Sequence, residues 1–130
     1  MFSRRTLGFV LASALLCLSA GAQALTVKPF SADELAAAQN AGGSVALHFH
    51  ADWCPTCRAQ DKAFNTLKAD PALANVTLLV VDYDKEKELR KRMNVRVQST
   101  VVVFKGKTEV ARSSGDTDPA RLKATLIQGL

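Results

Sequence analysis

Two cysteines separated by two residues, Cys54 and Cys57, constrain the fold and chemistry of this chain more than any other feature of its 130 residues. Residues 45–50 before them are too few for a helix and rich in β-formers, so they predict a buried strand. A helix is expected after Cys54, because Pro55 is tolerated in a first turn. A dithiol at this junction suits reversible thiol–disulfide exchange, since a helix N-terminus stabilises a thiolate.

Side chains alternate between the two faces of that predicted strand. Its odd-numbered residues are all apolar and predict one buried face. The other face carries Ala46, His48 and His50. His48 is therefore predicted to lie on the side of the sheet covered by the helix that carries the cysteines.

The first 24 residues have the features of a secretory signal peptide. Arg4 and Arg5 precede an apolar run at residues 7–18, which is too short to span a bilayer, and residues 22–24 form an Ala-Gln-Ala cleavage site. We expect cleavage after Ala24, no membrane anchor after that cleavage, and a single domain over residues 25–130. The Ser-Arg-Arg sequence at residues 3–5 leaves export by the general or the twin-arginine route open.

Charge and cysteine content indicate in which kind of compartment the protein works and which partners are disfavoured. The chain has 17 basic and 12 acidic side chains; without Arg4 and Arg5, 15 basic side chains remain against 12, a net charge of +3. The densest charge run, residues 85–92, mixes both signs at helical spacing and predicts a solvated helix face, not a nucleic-acid site. Export places the dithiol in an oxidising compartment, where disulfides form and persist, and we expect a monomer.

The rest of the chain predicts alternating helices and strands. Ser31 and Glu34 form a capping box that opens a helix, which ends at Gly42. Residues 76–81 form an apolar run interrupted only by Thr77, typical of a strand covered on both faces.

The last third of the chain predicts a hairpin and a final helix. Residues 100–104 and 108–111 flank a turn, and Asp118 caps a helix whose buried side includes Ile127. The predicted order is αβαβαββα. That order indicates an α/β domain, with a central mixed β-sheet flanked by helices on both faces.

Four features resemble the thioredoxin family in order and spacing. They are the Ala-Asp-Trp-Cys-x-x-Cys sequence at residues 51–57, the acidic strand end at residues 82–84, Thr100 before an apolar strand, and Gly115 before the last helix. The resemblance covers residues 30–130. It implies the thioredoxin fold and a cofactor-free thiol–disulfide oxidoreductase of the bacterial periplasm, acting on protein thiols and disulfides with an unidentified redox partner protein. The Trp-Cys-Pro-Thr-Cys-Arg sequence resembles reductants of cytochrome c maturation, so a reductant is favoured over an oxidant.

Three positions depart from the family pattern. Family members carry a cis-proline where this chain has Ser99, so a different substrate-docking loop is expected. They bury an aspartate where this chain has His48, and Val80 replaces the lysine that pairs with it.

The positions of the site residues at the helix start and along the strand assign roles within the site. Cys54 is the expected exposed, attacking thiol of lowered pKa, and Cys57 the shielded, resolving thiol. His48 either accepts the proton of Cys57 or is a buried, neutral, hydrogen-bonded histidine. Trp53 either covers the dithiol or is a core aromatic. The residues assigned to substrate contact are Trp53, Pro55, Thr56, Ser99 and Thr100.

Two alternatives to redox chemistry remain at this stage. A structural disulfide is disfavoured because a bridge between Cys54 and Cys57 closes too small a loop to constrain the unfolded chain much. The spacing of His48, His50 and the two cysteines also suggests a binding module for copper or zinc.

Overall fold

The structure is a computed structural model that describes residues 24–130. The predicted signal peptide lies outside the described residues, apart from Ala24. No helix between residues 24 and 130 combines the length and the apolar character needed to cross a membrane.

Five strands form one mixed sheet whose spatial order differs from their order in the chain. The strands are β1 (Thr26–Pro29), β2 (Ser44–His50), β3 (Val76–Asp82), β4 (Thr100–Lys105) and β5 (Thr108–Ser114). The spatial order is β1-β3-β2-β4-β5. β3 pairs in parallel with both β1 and β2, whereas β4 is antiparallel to β2 and to β5. β2 is therefore central, and the cysteines follow its carboxyl end.

Four α-helices cover the sheet. They are α1 (Ala32–Asn40), α2 (Pro55–Leu67), α3 (Lys87–Arg92) and α4 (Pro119–Leu126). Short 3-10 turns follow α2 at Pro71–Leu73 and α4 at Ile127–Gly129. The predicted α/β fold class is confirmed, and so are the predicted strands and helices after residue 30.

Alternation along β2 divides the core into two clusters, one on each face of the sheet. Leu47 and Phe49 pack in the cluster that also contains Leu35 of α1 and Leu89 of α3. Ala46 packs in the other cluster. That second cluster includes Ala63, Phe64 and Leu67 of α2 with Leu122 and Leu126 of α4. His48 consequently faces α2, as predicted, and its ring contacts that of Phe64 edge-on at 5.0 Å between centroids.

Three details differ from the sequence-based expectations. β1 was missed, because four residues that include an exposed lysine and a proline carry little strand signal. Only half of the capping box forms: Ser31 Oγ accepts the N–H of Glu34, but the Glu34 carboxylate faces Lys28 at 3.6 Å. Ile127 is not on the buried side, because α4 has already given way to a 3-10 turn there, and the side chain is exposed.

Candidate active site

Cys54 occupies the N-cap of α2. Its backbone is extended, and its Sγ accepts the backbone N–H of Cys57 at 3.2 Å, while Pro55 fills the first helical position. A sulfur therefore takes the place of the hydroxyl or carboxylate oxygen that usually caps a helix. Burial raises the pKa of the Cys54 thiol. Hydrogen bonds from the side chains of Cys57 and Ser99 and from backbone N–H groups outweigh burial, so the pKa lies below its ordinary value.

Cys57 lies one turn into α2 and is fully buried. Burial is the largest cause that raises the pKa of Cys57, and the side-chain hydrogen bond to Cys54 raises it further. The hydrogen bond to the Ser99 hydroxyl lowers this pKa and offsets part of the increase. The two thiols are both free. The site therefore holds one thiol poised to ionise beside one that holds its proton.

The expectation that Cys54 is exposed is wrong. The side chain is only 2% exposed, because Ala51 and Cys57 pack against it and Tyr83 closes the same cluster. The Ser99 hydroxyl adds a polar contact at 3.2 Å. Cys54 is thus distinguished from Cys57 by its hydrogen bonds, and hardly at all by its accessibility.

Trp53 is not a core aromatic, because 58% of its surface is exposed. Its indole Nε1 donates to Asp84 Oδ2 at 2.8 Å, which ties the loop before α2 to the loop after β3. Together with Asp52 and Asp82 it lines a cleft of about 330 Å³. Trp53 is thus held at the rim of the site.

The other residues assigned to substrate contact differ in their accessibility. Pro55 is exposed and Thr56 is half-buried at the start of α2. Thr100 is 2% exposed, and its hydroxyl donates to Val97 O at 2.8 Å. Its hydroxyl is therefore engaged inside the protein, and its contact with a substrate stays a prediction.

Ser99 occupies the position that resembles the family's cis-proline. Every peptide bond of residues 24–130 is trans, and Ser99 instead adopts a left-handed backbone with φ of 64°. Its N–H donates to Phe49 O at 2.8 Å, and its carbonyl accepts the N–H of Gly115 at 3.1 Å. This geometry turns the side chain inward, so that Oγ lies 3.2 Å from Cys54 Sγ and 3.1 Å from Cys57 Sγ.

Gln60 is a site residue that sequence reasoning missed. It is fully buried on α2, and its Nε2 donates to the carbonyls of Ser99 at 3.0 Å and Asp116 at 2.9 Å. The sequence did contain a signal for this role. Gln60 stands three residues after Cys57 and four before Phe64, so it lies on the buried face of α2, where an apolar side chain is expected. A buried amide must find partners, and here its partners belong to the site.

The orientation of Gln60 fixes the tautomer of His48. Because Gln60 Nε2 donates twice, its Oε1 must be the atom that meets His48 Nε2 at 2.8 Å, so His48 Nε2 carries the proton. His48 Nδ1 then holds the lone pair. It is buried without a hydrogen-bond partner among the described residues, and lies 3.9 Å from Asp61 Oδ1.

His48 is neutral at physiological pH. Burial lowers its pKa from 6.5 to about 4, a shift that the hydrogen bond to Gln60 and the carboxylate of Asp61 offset only in part. The structure gives His48 a hydrogen bond to Gln60 and none to either sulfur within residues 24–130. These contacts match the buried, hydrogen-bonded interpretation, and the proton-acceptor role stays a prediction.

The copper or zinc alternative is not supported. His50 Nε2 is engaged by Asp61 Oδ2 at 2.8 Å, and His48 Nε2 is engaged by Gln60. Within residues 24–130, no three histidine, cysteine, aspartate or glutamate side chains are grouped so that they could hold a metal ion.

Comparisons with known proteins are consistent with the fold described above. The thioredoxin family model matches residues 25–128. The thioredoxin of Chlamydia trachomatis serovar D is 35% identical over 78 residues, which cover 60% of this chain and 74% of that protein. Trxlp from Edwardsiella tarda EIB202 is 34% identical with a TM-score of 0.74, covering 78% of this chain and 98% of that structure. Malassezia sympodialis thioredoxin (Mala s 13) is 25% identical with a TM-score of 0.68, covering 82% and 93%. The chain therefore belongs to the thioredoxin family and is a thiol–disulfide oxidoreductase with a Cys-x-x-Cys pair at Cys54 and Cys57.

Proposed function

We propose that this protein is an exported reductant of protein disulfides, with Cys54 as the attacking thiolate and Cys57 as the resolving thiol. The observation that carries the assignment is the position of Cys54 Sγ at the N-cap of α2, where it accepts the Cys57 N–H. A thiolate is stabilised there by unpaired N–H groups and by the helix dipole. Burial and the hydrogen bond to Cys54 raise the pKa of Cys57, so Cys57 keeps its proton until resolution.

The reaction proceeds in two exchanges. The Cys54 thiolate attacks one sulfur of a substrate disulfide, forms a mixed disulfide and releases the other substrate sulfur as a thiolate, which takes a proton from solvent. Cys57 then loses its proton and attacks Cys54 Sγ, which releases the second substrate thiol. The protein dithiol has lost two electrons, and the substrate disulfide has gained them.

Trapping tests the two roles. In a Cys57→Ser variant, Cys54 still attacks but the mixed disulfide cannot be resolved, so a substrate protein should remain covalently attached. A Cys54→Ser variant is the matched control and should trap little. Reversal of that pattern would exchange the roles of the two cysteines.

The direction of electron flow follows from the reduction potential of the pair. The two relatives from Chlamydia and Malassezia are named thioredoxins, which supports a reductant. We expect a potential nearer to about −270 mV than to about −120 mV when the pair is equilibrated with glutathione. A value at the oxidising end would make the protein an oxidant.

Export rests on the sequence of residues 1–24. The thioredoxin family model begins its match at residue 25, directly after the proposed cleavage site, and this supports the proposal. Expression of the full chain in a Gram-negative bacterium should yield a periplasmic monomer whose first residue is Leu25. Recovery of the intact chain in the cytoplasmic fraction would contradict export.

A further inference from the structure

The Ser99 hydroxyl lies between the two sulfurs of the site. Ser99 is only 4% exposed, and its Oγ lies 3.2 Å from Cys54 Sγ and 3.1 Å from Cys57 Sγ. Within residues 24–130, no side-chain oxygen or nitrogen other than Ser99 Oγ makes a hydrogen bond to either sulfur. A change of charge at the dithiol therefore acts directly on this hydroxyl.

A hydroxyl has a single proton, so Ser99 donates to one sulfur at a time. In the reduced protein Cys54 is the sulfur that ionises, because its Sγ already accepts the Cys57 N–H at the start of α2. Burial raises the pKa of Cys54, but hydrogen bonds from the side chains of Cys57 and Ser99 lower it. Before a substrate arrives, the Ser99 hydroxyl and the Cys57 thiol therefore both donate to Cys54 Sγ.

Formation of the mixed disulfide removes that acceptor, because Cys54 Sγ is then bonded to a substrate sulfur and carries no charge. The sulfur that must ionise next is Cys57 Sγ. Burial and the hydrogen bond to Cys54 raise its pKa, whereas hydrogen bonds to the Ser99 hydroxyl and to the backbone of Ala51 lower it. The Phe49 carbonyl, 4.0 Å from Cys57 Sγ, has no proton to donate to a thiolate. The Ser99 hydroxyl is thus free to donate to Cys57 at the moment when Cys57 needs a donor.

We propose that Ser99 is a catalytic residue whose hydroxyl donates to the Cys54 thiolate before the first exchange and to the Cys57 thiolate in the mixed disulfide. In the second exchange Cys57 gives its proton to a solvent base, and the Ser99 hydroxyl stabilises the thiolate until it attacks Cys54 Sγ. The bond between Cys54 Sγ and the substrate sulfur breaks, and the substrate sulfur leaves with that electron pair and takes a proton from water. One disulfide forms, one breaks, and Ser99 keeps its own proton throughout.

The backbone of Ser99 holds the hydroxyl oxygen in place for both exchanges. Its left-handed conformation, with φ of 64°, is fixed by the N–H that donates to Phe49 O and by the carbonyl that accepts from Gly115 N and Gln60 Nε2. Because Oγ is already within 3.2 Å of both sulfurs, no heavy atom of Ser99 has to move. Rotation about the Cβ–Oγ bond is enough to pass the hydrogen bond from one sulfur to the other.

The titratable side chains near the dithiol are engaged elsewhere. Tyr83 packs against the cysteines, but its hydroxyl donates to Arg96 O at 3.0 Å. His48 donates to Gln60 Oε1, and burial keeps it neutral at physiological pH. Neither side chain makes a hydrogen bond to a sulfur, so the changing charge of the dithiol is met by Ser99.

The donor role rests on the proposed function, and its first test does not require turnover. Methylation of Cys54 at pH 6 with methyl nitrobenzenesulfonate gives this sulfur a bonded, uncharged state like that in the mixed disulfide. Nuclear magnetic resonance of the isotope-labelled Cys57 Cβ then follows the ionisation of Cys57. Ser99→Ala removes the hydroxyl and keeps Cβ, and Ser99→Gly removes it in a residue that favours positive φ.

A matched control variant is available on β5. Ser113→Ala removes a hydroxyl that is also buried but has no hydrogen-bond partner among residues 24–130. In the methylated proteins, Cys57 should ionise at a higher pH in both Ser99 variants than in the wild type. Ser113→Ala should match the wild type.

The pH dependence of resolution separates a lost donor from displaced sulfurs. Reduced protein is mixed with glutathione disulfide between pH 6 and pH 10, and acid quenching with mass spectrometry follows the mixed disulfide and the oxidised form. Loss of a hydrogen bond to a charged group lowers the thiolate population by about 10- to 100-fold. A more basic thiolate is a better nucleophile, so resolution at pH 7 should slow by only about three- to tenfold in both Ser99 variants. The deficit should shrink as the pH rises toward 10.

Two results would overturn the donor role. One is the same Cys57 titration in the methylated wild type and the methylated Ser99→Gly variant. The other is slowing by the same factor at every pH, which would indicate that the substitutions displace the sulfurs. If the reduced wild type is not oxidised by glutathione disulfide, the proposed function fails, and the Cys57 titration still decides whether Ser99 is the donor.

Discussion

The buried neutral histidine predicts a specific loss of stability in acid. His48 has a pKa of about 4 in the folded protein and about 6.5 in the unfolded chain, and the main cause is burial. Between these two values the unfolded chain binds a proton at His48 that the folded protein does not. The free energy of unfolding therefore falls as the pH decreases from about 6.5 to about 4, and the His48 contribution is constant above that interval.

The size of the effect follows from the two pKa values. One pKa unit corresponds to about 1.4 kcal/mol, so the full penalty reached below pH 4 is about 3 kcal/mol. Between pH 7 and pH 5 the loss is about 2 kcal/mol. Asp61 and His50 face the ring, at 3.9 Å from Nδ1 and 5.5 Å between centroids, and both contributions are already contained in the shifted pKa.

A His48→Gln variant isolates this contribution. Its amide retains a donor for Gln60 Oε1 and does not titrate. Urea unfolding followed by far-ultraviolet circular dichroism at pH 7 and pH 5 gives the free energy of unfolding of each protein. The wild type should lose about 2 kcal/mol more than His48→Gln over this interval. His50→Gln, which keeps His48, controls for the neighbouring ring. Equal losses in wild type and His48→Gln, or a titration midpoint of His48 near 6.5 by nuclear magnetic resonance, would refute the reasoning.

Three further predictions concern the site. Iodoacetamide at pH 6 should modify Cys54 well before Cys57, because the hydrogen bonds to Cys54 lower its pKa while burial raises that of Cys57; peptide mapping that finds Cys57 modified first would contradict this. Gln60→Leu should destabilise the fold by about 1–3 kcal/mol in urea because it leaves buried polar partners unpaired, whereas the exposed Gln128→Leu should have little effect. Ser99→Pro should lower the unfolding midpoint, since proline cannot adopt φ of 64° or donate the N–H that Phe49 accepts; unchanged stability would show that the loop rearranges freely.

The sequence was sufficient to predict most of the fold because its strongest signals are local. The apolar alternation of β2, the proline at the start of α2 and the Asp118 cap of α4 each fix an element through its own residues. β1 was missed because its stability comes from pairing with β3, a strand some fifty residues away that a four-residue window does not reveal.

The sequence predicted which residues form the site better than it predicted the contacts among them. Cys54, Cys57 and the unusual Ser99 follow from the motif and its spacing. The contact of the Ser99 hydroxyl with both sulfurs depends on a left-handed backbone that only the tertiary structure enforces. The link from His48 through Gln60 to Ser99 joins β2, α2 and the loop before β4, and no local pattern relates those segments.

β1 also affects how the protein behaves at high concentration. It forms one edge of the sheet, where unpaired N–H and C=O groups can recruit a strand from another molecule. This edge is four residues long, exposes Lys28 and ends in Pro29, which has no N–H to donate. Intermolecular strand addition there would need to bury a charge and would gain few hydrogen bonds. The short first strand thereby protects this edge of the sheet against edge-to-edge aggregation.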